Sequence, residues 1–321
     1  MAKPRVLCLG EILWDCLADQ PGMQVEAVQS WTRYPGGAPA NVACALVKLG
    51  TPAGFVGCVG EDELGQMLVE LLQTIGVNQE GIQRSPAPTR QVEVLRSVMG
   101  DRQFAGFGGQ STMVFADTHL QAGSLPEALF SQAEYLVMGT LGLAYPDTRK
   151  AMEWAVELSN REFMKIVIDV NWRPMFWAEP DYAKPTILQF IQQADFLKLS
   201  YEEAEWLYDT ANPSVIVHRH GDVEGVVVTN GEQGCAYCLS GNVGEMPAFP
   251  MPALDTTGAG DSFVAGFVHQ LCQRGIRALS DPETAHQIVR YASAVGALTT
   301  LKPGAIAAQP SAFEVEAFLK Q

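Results

Sequence analysis

The chain has 321 residues, enough for one large α/β domain or two smaller ones. Hydrophobic residues make up 47% of it, which excludes an extended disordered chain and allows a sizeable core. The 36 acidic and 21 basic side chains give a formal net charge of −15, which argues against a nucleic-acid backbone or an anionic membrane as a partner. A small anionic ligand stays open, because backbone amides bind phosphate in acidic proteins too.

Membrane and targeting segments are not expected. No stretch of the sequence approaches the length of a membrane-spanning helix. The apolar part of the first ten residues is too short for a signal peptide and predicts a strand instead. The seven cysteines are an odd number at irregular spacings, which indicates a reducing compartment. We therefore expect a cytoplasmic protein.

The chain opens with a buried strand, which the apolar run Val6–Leu9 predicts. Asp15 follows within an otherwise apolar segment. It could cap a backbone group in a turn, or it could aim a carboxylate at substrate hydroxyls from a strand end. The segment alone leaves both interpretations open.

A glycine-rich turn at residues 34–43 then leads into a helix that ends near Gly50. Gly36 and Gly37 would let a ligand approach the backbone closely. Asn41 offers both a hydrogen-bond donor and an acceptor. The alternative is a helix entry that is simply rich in small residues.

Two segments predict a small sheet outside the main core. After a strand at 53–59 and a helix that ends at Ile75, residues 91–98 alternate in polarity and lead to a turn signal at 99–102. Together with residues 16–34 they could form such a sheet.

From residue 135 onwards strands and helices alternate, which predicts a mainly parallel sheet covered by helices on both faces. Ligands of such sheets bind beyond the carboxyl ends of the strands. Four segments fall at such ends, namely 10–15, 169–173, 198–203 and 229–231. Ser200 and Glu203 also have the spacing of a helix capping box. His218 and His220 lie on a predicted loop and are expected at the surface.

The strongest chemical signal lies at residues 255–263, where small residues open into an apolar helix. Gly258, Ala259 and Gly260 would lie at the helix N-terminus, where unpaired amides and the helix dipole favour an anion, most simply a phosphate. Asp261 would lie in the first turn beside that seat. A carboxylate there repels phosphate unless it accepts a proton or holds a metal, although a first-turn acid can also merely complement the dipole.

Residues 255–263 resemble the C-terminal signature of the PfkB family of ribokinase-like sugar kinases, and residues 34–43 resemble its N-terminal signature. The two are more than 200 residues apart in the family's order, and the resemblance covers essentially the whole chain. It implies a single domain over 1–321 with a ribokinase-like three-layer α/β fold, in which a mainly parallel sheet has helices on both faces. A small β lid would come from 16–34 and 89–110. Such a lid excludes water and often forms a dimer interface, which leaves a homodimer open.

The resemblance also implies roles for individual residues. Asp261 would be the catalytic base, and the amides of Gly258, Ala259 and Gly260 would form an anion hole for the transferred phosphoryl group. The residues that would bind the sugar are Asp15, Gly36, Gly37, Asn41, Arg173 and Asp261.

The implied cofactors are ATP and Mg²⁺, with Glu203 organising water around the Mg²⁺. Asp255 and Thr257 would frame a monovalent cation, for which K⁺ is the candidate. The residues that would bind the nucleotide are Asn171, Lys198, Ser200, Glu203, Thr229, Asn230, Gly231, Gly234, Gly258, Gly260, Ala297 and Gly304.

D-Fructose is the first substrate candidate, because residues 10–15 and 169–173 resemble fructokinases in particular. However, fructokinases commonly carry an arginine after the aromatic pair of the lid, and residues 104–111 contain none. Arg96 or Arg102 could substitute. A 2-keto-3-deoxygluconate kinase is the nearest alternative, with ribose and nucleosides further off.

Other classes fit the sequence less well. The Walker motif and the dinucleotide-binding glycine motif are both absent, which argues against a P-loop ATPase and a nicotinamide dehydrogenase. The rival from a different class is a non-catalytic family member that binds a sugar or a nucleotide. Such a protein would not need Asp261.

Overall fold

The computed structural model describes residues 3–97 and 102–320, so the predicted turn at 99–102 lies largely outside the described residues. The strands are β1 (Val6–Leu9), β2 (Leu13–Ala18), β3 (Trp31–Gly36), β4 (Ala53–Gly60), β5 (Asn78–Ser85), β6 (Gln91–Arg96), β7 (Arg102–Gly106), β8 (Tyr135–Met138), β9 (Lys165–Asp169), β10 (Phe196–Ser200), β11 (Gly225–Thr229), β12 (Cys235–Leu239) and β13 (Asn242–Met246). The helices are α1 (Ala38–Lys48), α2 (Glu63–Ile75), α3 (Glu127–Phe130), α4 (Pro146–Arg161), α5 (Ala183–Ile191), α6 (Tyr201–Tyr208), α7 (Pro213–His220), α8 (Ala259–Arg274), α9 (Pro282–Thr299), α10 (Ala305–Ala308) and α11 (Ala312–Leu319).

The larger sheet has nine strands within the described residues, in the order β13-β12-β11-β10-β9-β8-β1-β4-β5. β1 pairs in parallel with β4 on one side and with β8 on the other, and the parallel pattern extends to β5 and to β11. β12 and β13 complete one edge in antiparallel orientation. The carboxyl ends of β1, β9, β10 and β11 therefore open onto the same edge of the sheet.

Helices cover both faces of this sheet, because successive residues of a strand point to opposite sides. In β1, Val6 and Cys8 belong to a core shared with α1, α2, α8, α9 and α11. Leu7 and Leu9 belong to a second core shared with α3, α4, α5, α6 and α7. The three-layer arrangement predicted from the alternation of strands and helices is confirmed.

A second, four-stranded sheet has the order β3-β2-β6-β7 and is called the small sheet below. β2 pairs in parallel with β6, whereas the two outer pairs are antiparallel. A cluster that includes Leu13, Val92, Tyr145 and Phe176 joins it to the main body. Asp15 lies inside β2 of this sheet, rather than in a turn or at a strand end, the two positions that the sequence left open.

The expected surface loop for two histidines is a helix in the structure. His218 and His220 lie on α7 rather than on a loop. His218 is exposed, but His220 is buried, and its Nε2 lies 2.7 Å from the carbonyl oxygen of Ile191.

The seven cysteines are all free and buried. Within the described ranges, no helix combines the length and the apolar character that crossing a membrane would require.

Candidate active site

The N-terminus of α8 is built as the glycine-rich sequence predicts. Gly258 is the N-cap residue and has φ of 77°, a left-handed conformation that suits glycine. A Cβ atom there would lie 2.6 Å from Cβ of Ala305, so no side chain fits. The amides of Gly258 and Gly260 find no acceptor among the described residues, whereas the Ala259 amide donates to the Thr256 carbonyl at 3.2 Å. Of the three expected donors, two therefore remain available to an anion.

Asp261 is the third residue of α8 and is partly buried. Its Oδ2 accepts a hydrogen bond of 2.8 Å from Nδ2 of Asn41, which lies in the first turn of α1. Burial raises the pKa of Asp261, while the Asn41 bond and the positive charges of Lys198 and Arg173 lower it, and the net shift is upward. The two glycine-rich segments of the sequence thus meet at one carboxylate.

Lys198 on β10 supplies a cation at the same place. Its Nζ lies 3.0 Å and 3.2 Å from the two carboxylate oxygens of Asp169, which ends β9. Burial lowers the pKa of Lys198, but the charges of Asp169, Glu203 and Asp261 raise it by more. The ammonium is therefore charged at neutral pH, and it stands 3.3 Å from where a Cβ of Gly260 would be.

Glu203 has both of its carboxylate oxygens engaged by backbone amides. Oε2 accepts from Ser200 at 2.8 Å, and the Ser200 hydroxyl accepts from the Glu203 amide, which completes the predicted capping box of α6. Oε1 accepts from the Trp172 amide at 2.7 Å and so fixes the loop after β9. In that loop Asn171 has a left-handed φ of 40°, and Arg173 is exposed. Capping is thus established, and a metal-organising role would use the remaining lone pairs.

An open cleft of about 1020 Å³ adjoins the N-terminus of α8. Among its lining residues are several of the predicted nucleotide-binding positions, namely Thr229, Gly231, Gly234, Gly260 and Ala297. Phe249, Met251 and Phe263 add apolar surface that the sequence did not single out for this place. Asn230, another predicted nucleotide-binding residue, is not among these lining residues, and its side-chain amide donates to Oε1 of Gln233 at 2.8 Å.

Asp255 ties together two loops beside the cleft. Its Oδ1 accepts from the Thr257 amide at 3.0 Å and from the Thr257 hydroxyl at 2.7 Å, and its Oδ2 accepts from the Gly304 amide at 2.8 Å. The carboxylate therefore holds the loop before α8 against the loop before α10. Among the residues that the structure describes, no cluster of three or more His, Cys, Asp or Glu side chains is arranged to hold a metal.

The other side of the site is formed by β2, β3 and the entry of α1. A Cβ at Gly36 would lie 2.5 Å from Oδ2 of Asp15, and one at Gly37 would lie 2.5 Å from the carbonyl oxygen of Glu11. The glycines allow this close packing. Glu11 is buried, and its Oε1 accepts from the Ala38 amide at 2.9 Å. Burial raises the pKa of Glu11 to about 7, although the hydrogen bond from the Ala38 amide lowers it.

The sequence analysis missed a buried arginine. Arg90, just before β6, is 1% exposed, and its Nε donates to Oδ2 of Asp117 at 2.8 Å. Its guanidinium lies 4.5 to 5.3 Å from the centres of four aromatic rings, those of Phe107, Phe115, Tyr145 and Phe176. These contacts anchor the small sheet to the main body. No local pattern could have found them, because the partners come from distant segments.

Arg96, proposed from the sequence as a substitute for the absent lid arginine, is engaged elsewhere. Its Nε donates to the Ala18 carbonyl at 3.0 Å and its Nη2 to the Asp19 carbonyl at 3.2 Å. It therefore crosslinks strands of the small sheet.

Known proteins share this architecture. A family model described as "pfkB family carbohydrate kinase" matches residues 3–312. The chain is 33% identical over 321 residues to the probable fructokinase-5 of Arabidopsis thaliana, which covers 99% of this chain and 98% of that protein. It superposes on the fructokinase of Xylella fastidiosa with bound ATP with a TM-score of 0.89 and 29% identity, over 99% of both chains.

A double mutant of the fructokinase from Vibrio cholerae O395, with fructose, ADP and potassium ion bound, gives a TM-score of 0.85 and 28% identity, over 99% of this chain and 98% of that one. These similarities extend along the full chain and agree with both glycine-rich signatures. The chain therefore belongs to the pfkB family of carbohydrate kinases.

Proposed function

We propose that this protein transfers the γ-phosphoryl group of ATP to the primary hydroxyl of D-fructose, giving fructose 6-phosphate and ADP. The observation that carries the proposal is the Asn41–Asp261 hydrogen bond at the N-terminus of α8. It joins the glycine-rich entry of α1 to the carboxylate that lies beside the free amides of Gly258 and Gly260. A carboxylate in that place repels phosphate unless it accepts a proton or holds a metal.

In the proposed reaction Asp261 takes the proton of the sugar hydroxyl as its oxygen attacks the γ-phosphorus. The new oxygen–phosphorus bond forms while the bond to the ADP oxygen breaks. The amides of Gly258 and Gly260 and the ammonium of Lys198 face the charge on the transferred group. Donors already in position supply most of the rate in phosphoryl transfer. Asp15, Gly37 and Asn41 would hold the sugar hydroxyl in line.

The cleft beside Gly260 would hold the nucleotide, because its lining is partly apolar and it adjoins the free amides at the N-terminus of α8. Mg²⁺ would neutralise charge on the phosphates. Because the described residues offer no cluster of protein ligands, phosphate oxygens and water would supply most of its coordination, with Glu203 bonding to that water. The loops tied by Asp255 and Thr257 offer oxygen ligands for K⁺, the ion present in the Vibrio cholerae structure.

Fructose is favoured over 2-keto-3-deoxygluconate because the curated relatives with full-length similarity are named fructokinases. The small sheet as a lid, a homodimer through it, and a cytoplasmic location remain predictions.

The experiment is ADP release with ATP and Mg²⁺ over fructose, glucose, ribose, adenosine and 2-keto-3-deoxygluconate. Asp261→Asn should lower kcat by about 10²–10⁴ as a lost base. Asp147→Asn is the matched control, since Asp147 is a half-exposed acid in the first turn of α4 whose Oδ2 lies 3.8 Å from Nδ1 of His119. If the two substitutions lower kcat equally, Asp261 only complements the helix dipole. If the protein phosphorylates only another sugar of the panel, that sugar is the substrate instead of fructose. If it binds ATP but phosphorylates no sugar, the non-catalytic alternative is favoured.

A further inference from the structure

Asp169 has no role in the mechanism above, yet it is paired with the cation of the site. Lys198 and Asp169 are register partners on neighbouring parallel strands. Their side chains are 13% and 7% exposed, and Nζ contacts both carboxylate oxygens. Burying a carboxylate is costly unless it is paired, so this pair is built into the end of the sheet.

Asp169 and Asp261 both attract the ammonium of Lys198. Asp169 holds it now, and Asp261 exerts a second attraction on it. If Lys198 turned to Asp261, it would form an ion pair with the proposed base. Such a pair would lower the basicity of Asp261 and draw the cation away from Gly260.

Resting on the proposed function, we propose that Asp169 is a positioning residue that holds the ammonium of Lys198 beside the phosphate seat and away from Asp261. The cation then faces the transferred phosphoryl group. The base keeps a single hydrogen bond, from Asn41, and an oxygen free to take the proton. Asp169 touches neither substrate in this arrangement and acts through Lys198.

Other charged groups also act on Asp261. Arg173, from the loop after β9, lowers its pKa. Glu11, from the loop between β1 and β2, and Asp169 interact with it as like charges. Arg173 and Glu11 are unchanged when Lys198 is replaced, but Asp169 loses its partner and its pKa rises, so its titration is followed in the same spectra.

The test titrates the Asp261 carboxyl directly by ¹³C NMR, with its signal assigned by its loss in Asp261→Asn. In Lys198→Met the pKa of Asp261 should rise by about 1 unit, because a nearby positive charge is gone. In Asp169→Asn it should fall by about 1 unit, because a like charge is gone and the ammonium is free to approach. We expect kcat to fall about 10- to 100-fold in both variants, as for a misplaced electrostatic donor.

Lys165 and Asp195 supply matched controls. They form a Lys–Asp pair of 2.7 Å at the start of β9, the opposite end of the strand from Asp169. Lys165→Met and Asp195→Asn should leave the Asp261 titration unchanged. Thermal unfolding of each variant shows that the compared proteins are folded.

Opposite shifts alone would follow from removing any two opposite charges near Asp261, so the positioning role is read from the double variant Lys198→Met/Asp169→Asn. Because Asp169 acts only through Lys198, Asp169→Asn should lower kcat in the wild-type protein but no further in Lys198→Met. An additional loss in the double variant, unchanged titrations, or shifts of the same sign would overturn the inference. Because the titration needs no turnover, it stands apart from the proposed function. That function fails if the wild-type protein phosphorylates no sugar, whatever the titrations show.

Discussion

Asn41 and Asp261, 220 positions apart in the sequence, are joined by a hydrogen bond of 2.8 Å from Nδ2 to Oδ2. The bond connects the first turn of α1 to the first turn of α8. Oδ1 of Asp261 accepts no hydrogen bond from the residues that the structure describes. The amide thus fixes one oxygen of the carboxylate and leaves the other for a proton.

Asn41→Ala should therefore change the pH dependence of activity as well as its size. The hydrogen bond lowers the pKa of Asp261, so its loss raises that pKa, and the acidic limb of kcat/KM should move to higher pH. We expect kcat/KM at neutral pH to fall about 10- to 100-fold, as for a lost positioning contact. A pH profile with saturating ATP measures both effects.

Asn212→Ala is the control for that substitution. Asn212 caps α7 through the Ser214 amide at 2.9 Å, so its loss should affect stability alone. An acidic limb that stays in place in Asn41→Ala would show that the bond does not tune Asp261.

Gly258→Ala tests whether the turn before α8 requires glycine. The left-handed φ costs about 1 kcal/mol for alanine, and the 2.6 Å approach to Ala305 adds a clash, for a total of about 2–4 kcal/mol. Gly76, which follows α2, has φ of 98° and ψ of 17°, the same left-handed region, and its Cβ position makes only an ordinary contact of 3.6 Å with Val47. Gly76→Ala should cost only about 1 kcal/mol. Urea unfolding compares the two, and equal losses would rule out the clash with Ala305.

The sequence predicted the parts of the site that depend on short-range chemistry. Gly258 and Asp261 were located by a glycine-rich helix entry, and the Ser200–Glu203 capping box by its spacing, because such signals lie within a few residues. The order of strands and helices predicted the three layers for the same reason.

What depended on long-range packing was not predictable. The pairing of Lys198 with Asp169 needs the register of two strands that lie 29 residues apart. The surroundings of Arg90 combine four segments of the chain. His220 was assigned to the surface because a short amphipathic helix with a polar end resembles a loop in sequence. A single chain carries no signal for such contacts.

Arg90→Met should destabilise the protein strongly, because it leaves Asp117 charged and buried without its partner. Losses from breaking buried ion pairs are about 3–5 kcal/mol. The double variant Arg90→Met/Asp117→Leu should lose less, since neither charge remains. Arg161→Met removes a solvent-exposed ion pair with Glu127 and should leave the unfolding free energy nearly unchanged. Urea unfolding of the four proteins gives the comparison, and a double variant as unstable as Arg90→Met would show that packing, not charge, dominates.

Glu11 should make the stability of the protein depend on pH between about 4.5 and 7. Its pKa rises from 4.5 to about 7 in the folded protein, mainly through burial. The folded state therefore keeps the proton to a higher pH than the unfolded state does. The stability from the protonated carboxyl is fully present below pH 4.5 and is lost as pH rises through about 7.

Glu11→Gln removes the titration but keeps an oxygen for the Ala38 amide. Relative to this variant, the wild-type protein should lose up to about 3 kcal/mol of unfolding free energy between pH 5 and pH 8. Glu61→Gln, which replaces an exposed carboxyl, should follow the wild-type curve. Urea unfolding at both pH values measures the difference. If the difference in unfolding free energy between wild type and Glu11→Gln is the same at pH 5 and pH 8, the Glu11 carboxyl is already ionised across this range. The entry of α1 is then held by a charge rather than by a neutral acid.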